Sequence, residues 1–229
     1  MKAKLMLITL VCFGGYFLSS CGNGSSDYDE ETANKLTSEY RDALKTQDFE
    51  KAHDVLNEIY SFFNEVVDNN RERGLFDDFD PQRAKIKSAT RVVCDAIKSI
   101  YSEEIRYLAS SNAEGSWERI LYLLSEIKSI GREFNEEQDI IYYDLSYSMA
   151  DSYQQFVETK NSLCNLCLDL AIDSQNKTVA KKLLRYYVRN CIVEFSGVKY
   201  SMKDINEAKE KYQESFDEPM TTPETSNED

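Results

Sequence analysis

Residues 48–66 read Asp48-Phe49-Glu50-Lys51-Ala52-His53-Asp54-Val55-Leu56-Asn57-Glu58-Ile59-Tyr60-Ser61-Phe62-Phe63-Asn64-Glu65-Val66. Ala52, Val55, Leu56, Ile59, Phe62, Phe63 and Val66 recur at intervals of three and four, which gathers them on one face of an α-helix. Asp48 suits the N-cap, where a carboxylate accepts from the free amides of the first turn. The same spacing runs upstream through Leu36, Tyr40 and Leu44. Downstream, Gly74 marks the expected end of the helix, with Arg71 and Arg73 at its negative pole. Asp80-Pro81 restarts the pattern with a capping carboxylate and a proline at the first helical position, followed by Ile86, Ala89, Val93, Ile97, Ile100, Tyr101 and Leu108. Gly115-Ser116 opens a helix carrying Trp117, Ile120, Leu121, Leu124 and Ile127, which Gly131 closes. Residues 136–173 are helical by composition, with a break expected near Asn161-Ser162. Another helix is expected over 178–195, before Gly197, and a last one from the Ser201/Asp204 capping box to about Phe216. Between Ser25 and Glu218 only Pro81 and four glycines occur, whereas a β-sandwich or barrel needs turn residues every 8–12 positions. The fold predicted is all-α: seven to eight antiparallel helices, arranged as an array of hairpins or as a bundle.

Thr46-Gln47-Asp48-Phe49-Glu50-Lys51-Ala52 resembles the turn and second-helix start of a tetratricopeptide repeat, in which an aromatic and then an alanine follow a short polar turn. Ser116-Trp117-Glu118-Arg119-Ile120 takes the same part, 68 residues after Phe49, or twice the 34-residue repeat period. In that register Glu50, Leu56, Glu58, Ile59 and Ser61 meet Glu118, Leu124, Glu126, Ile127 and Ser129. Arg83, at the intervening register, is not aromatic, and Ile120 replaces the small residue. The resemblance covers about half the chain and implies a degenerate, tetratricopeptide-like helical array. A generic bundle of amphipathic helices is the alternative.

At the N-terminus, Lys2 and Lys4 precede an apolar run of 14 residues, Leu5 to Leu18, which is short for a membrane span and suited to a signal peptide. Leu18-Ser19-Ser20-Cys21 resembles the lipobox of bacterial lipoproteins. The resemblance implies a signal peptide at 1–20 and acylation of Cys21, with palmitate among its acyl chains, and hence an anchor in the cell envelope. Each buried methylene contributes about 0.8 kcal/mol to such an anchor. Residues 21–31 read as a tether, Gly22-Asn23-Gly24-Ser25-Ser26 and then the acidic Asp27-Tyr28-Asp29-Glu30-Glu31. That cluster resembles surface-export signals of diderm lipoproteins, or else it is a linker entering a helix N-terminus. Gly22 rather than aspartate follows the cysteine, so the inner-membrane retention signal is absent and the outer membrane is the expected site. Residues 32–216 form the helical domain, and 217–229, with Pro219 and Pro223, a disordered tail.

The chain carries 41 acidic against 27 basic side chains, a formal charge of −14, which would repel nucleic acid. His53 is the only histidine, expected at a helix surface or edge; it leaves no obvious base for a triad and no multi-histidine metal site. There is no phosphate loop and no nucleophile elbow. Asp77-Asp78-Phe79-Asp80 lacks the glycine and distal glutamate of a calcium loop and reads as a polar loop and helix cap. Cys94, Cys164, Cys167 and Cys191 read first as small core residues, with structural disulfides, or a metal or redox centre at Cys164-Asn165-Leu166-Cys167, as alternatives. Tyr142, Tyr143, Tyr147, Tyr153, Tyr186 and Tyr187 suit half-buried packing first and adhesive surfaces second. The functional expectation is a non-enzymatic, lipid-anchored envelope protein whose helical surface binds a protein, peptide or glycan, with no catalytic, cofactor-binding or metal-binding residue. The alternatives are a structural envelope lipoprotein that braces other components, and a cysteine-based metal or redox protein.

Overall fold

The computed structural model describes residues 29–71, 81–111, 113–127, 148–191 and 202–217. Among these residues there are seven helices and no strand: α1 (Glu30–Lys45), α2 (Phe49–Arg71), α3 (Pro81–Ser111), α4 (116–127), α5 (Ser148–Asp173), α6 (Lys177–Cys191) and α7 (Met202–Phe216). The chain is all-α. Helix starts fall where capping chemistry places them: Asp48 Oδ1 accepts from the Lys51 amide at 3.1 Å, and Pro81 opens α3.

Two boundaries differ from the sequence reading. α1 begins at Glu30 because Asp29 caps it, Oδ1 accepting from the Glu31 amide at 3.0 Å. Glu30 and Glu31 therefore sit in the first turn, where the helix dipole favours negative charge, and belong to the helix rather than to the tether. α5 continues through Asn161-Ser162 without a break. That pair lies on its half-exposed side, while the adjoining Leu163 and Cys164 are buried and hold the helix down. The signal peptide, Cys21, the Gly74, Gly131 and Gly197 stops, Ser201 and residues 218–229 lie outside the described residues.

The core organises around α3, which packs against α1, α2 and α5; α5 in turn packs against α6 and α7. α1, α3, α5 and α7 thus form a row in which each touches the next, with α2 and α6 packed beside it. α4 joins the same apolar cluster through Ile120, Leu123, Leu124 and Ile127. The apolar side of α3 is wide: Ile86, Ala89, Val93, Ala96, Ile97, Ile100 and Ile105 are at most 1% exposed. Burying one such aliphatic side chain is worth about 1.5–3 kcal/mol.

The turns repeat. In the α1–α2 join Gln47 has φ 57, in the α5–α6 join Gln175 has φ 54, and in the α3–α4 join Gly115 has φ 83. The α1–α2 and α5–α6 joins also share their hydrogen bonds. The Asp48 amide donates to the Ala43 carbonyl and the Asn176 amide to Ala171, both at 2.9 Å; the Lys51 and Val179 amides are capped by the Asp48 and Asn176 side chains. Across these joins α2 packs on α1 and α6 on α5, and Arg119 of α4 meets Glu104 of α3, giving helix pairs α1–α2, α3–α4 and α5–α6. Burial keeps the register of the second helices: Ala52, Val55 and Leu56 correspond to Ile120, Leu123 and Leu124, and then to Ala180, Leu183 and Leu184, all buried. Among the described residues, the 68-residue interval from Phe49 to Trp117 holds two long helices, α2 with 23 residues and α3 with 31.

A left-handed glutamine is strained by about 1–2 kcal/mol, partly offset in a glycine variant by the freer unfolded chain. Gln47→Gly and Gln175→Gly are each expected to raise unfolding stability by about 0.5–1 kcal/mol, and Gln47→Val to lower it. Urea denaturation of the three variants checks this.

Candidate functional site

The row of helices leaves a groove of about 550 Å3 between α3 and α5. α3 contributes Lys98, Ser102 and Arg106, each a turn apart; α5 contributes Glu158, Asn161, Ser162, Asn165, Leu166 and Asp169. The lining is polar on both walls, with cations on α3 and carboxylates and carboxamides on α5. Two lining residues have charged partners: Arg106 Nη1 donates to Glu103 Oε1 at 2.9 Å, and Lys211 Nζ of α7 donates to Asp169 Oδ1 at 2.5 Å. Leu166 packs partly against the core and gives the groove an apolar patch. Such a lining can hydrogen-bond and pair with a polar, extended ligand. The sequence reading missed these residues. Their signal was present as polar side chains spaced by four, 98/102/106 and 161/165/169, along one side of each amphipathic helix.

His53 stands at a helix edge, but with a partner the sequence did not disclose. Its Nε2 lies 2.7 Å from Glu104 Oε2, and Arg119 Nη2 reaches Glu104 Oε1 at 3.4 Å, so one carboxylate links α2, α3 and α4. Glu104 is buried. Burial works to raise its pKa, but the hydrogen bond and attraction of His53 together with Arg119 outweigh it and leave the carboxyl below its ordinary value. The imidazole nitrogen is therefore the donor. Its ring meets Tyr101 edge-on, with centroids 5.1 Å apart.

Cys94, Cys164 and Cys167 are buried in the core outside any disulfide, and among the described residues no group of three or more His, Cys, Asp or Glu could hold a metal. The Cys164-x-x-Cys167 pair lies mid-helix in α5 rather than at a strand-to-helix turn. Burial pushes the Cys94 thiol up to about 12, against a hydrogen bond with Thr159 that lowers it. Cys167 is raised by burial and by Cys164. The side chain of Cys191, the tyrosines at 142, 143 and 147, and the side chains of Tyr153, Tyr186 and Tyr187 lie outside the described residues, as does Asp77–Asp80. No helix among the described residues is long and apolar enough to cross a membrane. The chain matches no protein-family model and no solved structure.

Two outcomes follow from this chemistry. A carboxyl held below its unfolded pKa stabilises the fold above that pKa, and the stabilisation is lost as pH falls through the folded value. The stability gap between the wild type and Glu104→Gln is therefore expected to be full above the ordinary glutamate pKa of 4.5 and to shrink below it, read by denaturation at a series of pH values. Iodoacetamide is expected to leave Cys94, Cys164 and Cys167 unmodified in the native protein and to alkylate all three in urea, as peptide mass analysis would show.

Proposed function

We propose that this chain is a non-catalytic, lipid-anchored protein of the cell envelope that holds a protein, peptide or glycan partner on its helical surface. The observation that carries the reading is the polar α3–α5 groove, set where successive first helices of the hairpins lie side by side. Aligned helices of this kind form extended binding faces. The tetratricopeptide-like turn at 46–52 supports the same reading, because the turn it resembles recurs between α5 and α6. Lys2, Lys4, the apolar run and Leu18-Ser19-Ser20-Cys21 support acylation at Cys21 and an outer-membrane address, with the acids after Cys21 favouring surface display.

Cells fed radiolabelled palmitate are expected to label the wild-type chain and not Cys21→Ser, and only the wild type is expected to sediment with membranes. A photo-crosslinking residue at Ser102 or Asn165 is expected to trap the same discrete adduct, whereas one at exposed Lys182 on α6 is not. An unlabelled wild type contradicts the anchor. Equal or absent adducts at all three positions contradict the groove.

A further inference from the structure

Among the described residues, two large hydrophobic side chains stand exposed, Tyr107 at 46% and Tyr122 at 49%. They belong to one surface. The ring of Tyr107 packs on Phe49, centroids 5.4 Å apart, which ties the last turns of α3 to the first turn of α2. Glu104 precedes Tyr107 by three residues on the same helix and binds Arg119, whose Cζ stands 5.1 Å from the centre of the Tyr122 ring. Glu126, one turn on, pushes the Tyr122 hydroxyl pKa up. Both rings are therefore held by neighbours before any partner arrives, which lowers the entropy lost on binding.

The charges beside the rings are mostly negative. Glu103 lies one turn before Tyr107, and Glu118 and Glu126 lie one turn to either side of Tyr122. Glu50 follows Phe49 and is exposed. Of the nearby cations, Arg106 is paired with Glu103, and Arg119 reaches Glu104 beside the Tyr122 ring. An aromatic face with a carboxylate one turn away attracts an ammonium or guanidinium twice, through the ring quadrupole and through direct charge. The formal charge of −14 adds long-range attraction for a cation.

We propose that Tyr107 and Tyr122 anchor a lysine- or arginine-bearing segment of a partner polypeptide, with Glu50, Glu118 and Glu126 receiving its cationic heads. The surface is separate from the groove: Ser102 and Tyr107 are about 140° apart around α3, and Tyr122 belongs to α4, which does not line the groove. The inference thus goes beyond the groove reading, and either can fail alone.

The test is isothermal titration of the detergent-solubilised full chain, at about 0.15 M salt, with a decapeptide of alternating lysine and glycine. Its glutamate–glycine counterpart and a neutral cello-oligosaccharide serve as the other arms. The lysine peptide is expected to bind and the other two are not. Tyr107→Leu with Tyr122→Leu keeps the net charge and is expected to weaken binding about tenfold, the loss of two modest cation–π contacts. Should that pair lose its helical circular dichroism, Tyr107→Phe with Tyr122→Phe keeps both rings and is expected to bind within about twofold of the wild type. Undiminished binding by a folded leucine pair would reduce the effect to bulk charge and overturn the proposal. So would failure of a folded phenylalanine pair to bind, equal binding of the saccharide or the glutamate peptide, or no binding of the lysine peptide.

Discussion

The structure depends on covering α3. This helix buries a wide aliphatic side from Ile86 to Ile105, and no single neighbour can shield it, so α2 and α5 close on it from different directions and α1 adds a third contact. Leaving that side in water would cost on the order of 10 kcal/mol, comparable to the whole stability of an ordinary domain. The hairpin order follows. α2 and α4 reach α3 directly along the chain, whereas α5 reaches it from beyond residues 128–147. Once α5 is in place, α6 and α7 find their own apolar sides satisfied against it.

The two surfaces of interest are by-products of that arrangement. Where α3 and α5 lie side by side, their outward positions converge as the polar groove of Lys98, Ser102, Asn161 and Asn165. On the other side, Glu104 lies at the meeting of three helices, where a buried carboxylate is tolerated because His53 and Arg119 supply its partners. That link fixes the orientation of α2 and α4 about α3, and it sets the Tyr107 and Tyr122 rings on a stiff base rather than on loops. Cys94, Cys164 and Cys167 work as small apolar residues of the same core.

Helices and their starts were legible in the sequence, because the spacing of three and four and the caps at Asp48, Pro81 and Gly115 are local signals. The helical phase even puts Glu104 on the stripe of Ile97, Tyr101 and Leu108, which marks it as the inward member of the Glu103-Glu104 pair. What the sequence could not disclose was partnership across distance. His53 and Glu104 are 51 residues apart and Lys211 and Asp169 are 42 apart, and in a chain with 41 acids no such pair stands out. The expected break at Asn161-Ser162 was misread for the same reason: two polar residues on the groove side look like a stop when the neighbouring α3 is not in view. Phe49 and Trp117 take corresponding places at the starts of α2 and α4, with the long α2 and α3 between them among the described residues.

Native-state hydrogen exchange along α3 tests this account most directly. The amides from Val93 to Ile105 are predicted to exchange last and only with global unfolding, at the free energy measured by denaturant, with those of α1 and α6 opening no later. Exchange of the α3 amides while α1–α2 or α5–α6 remains protected would show hairpins standing without their shared helix, and would contradict it.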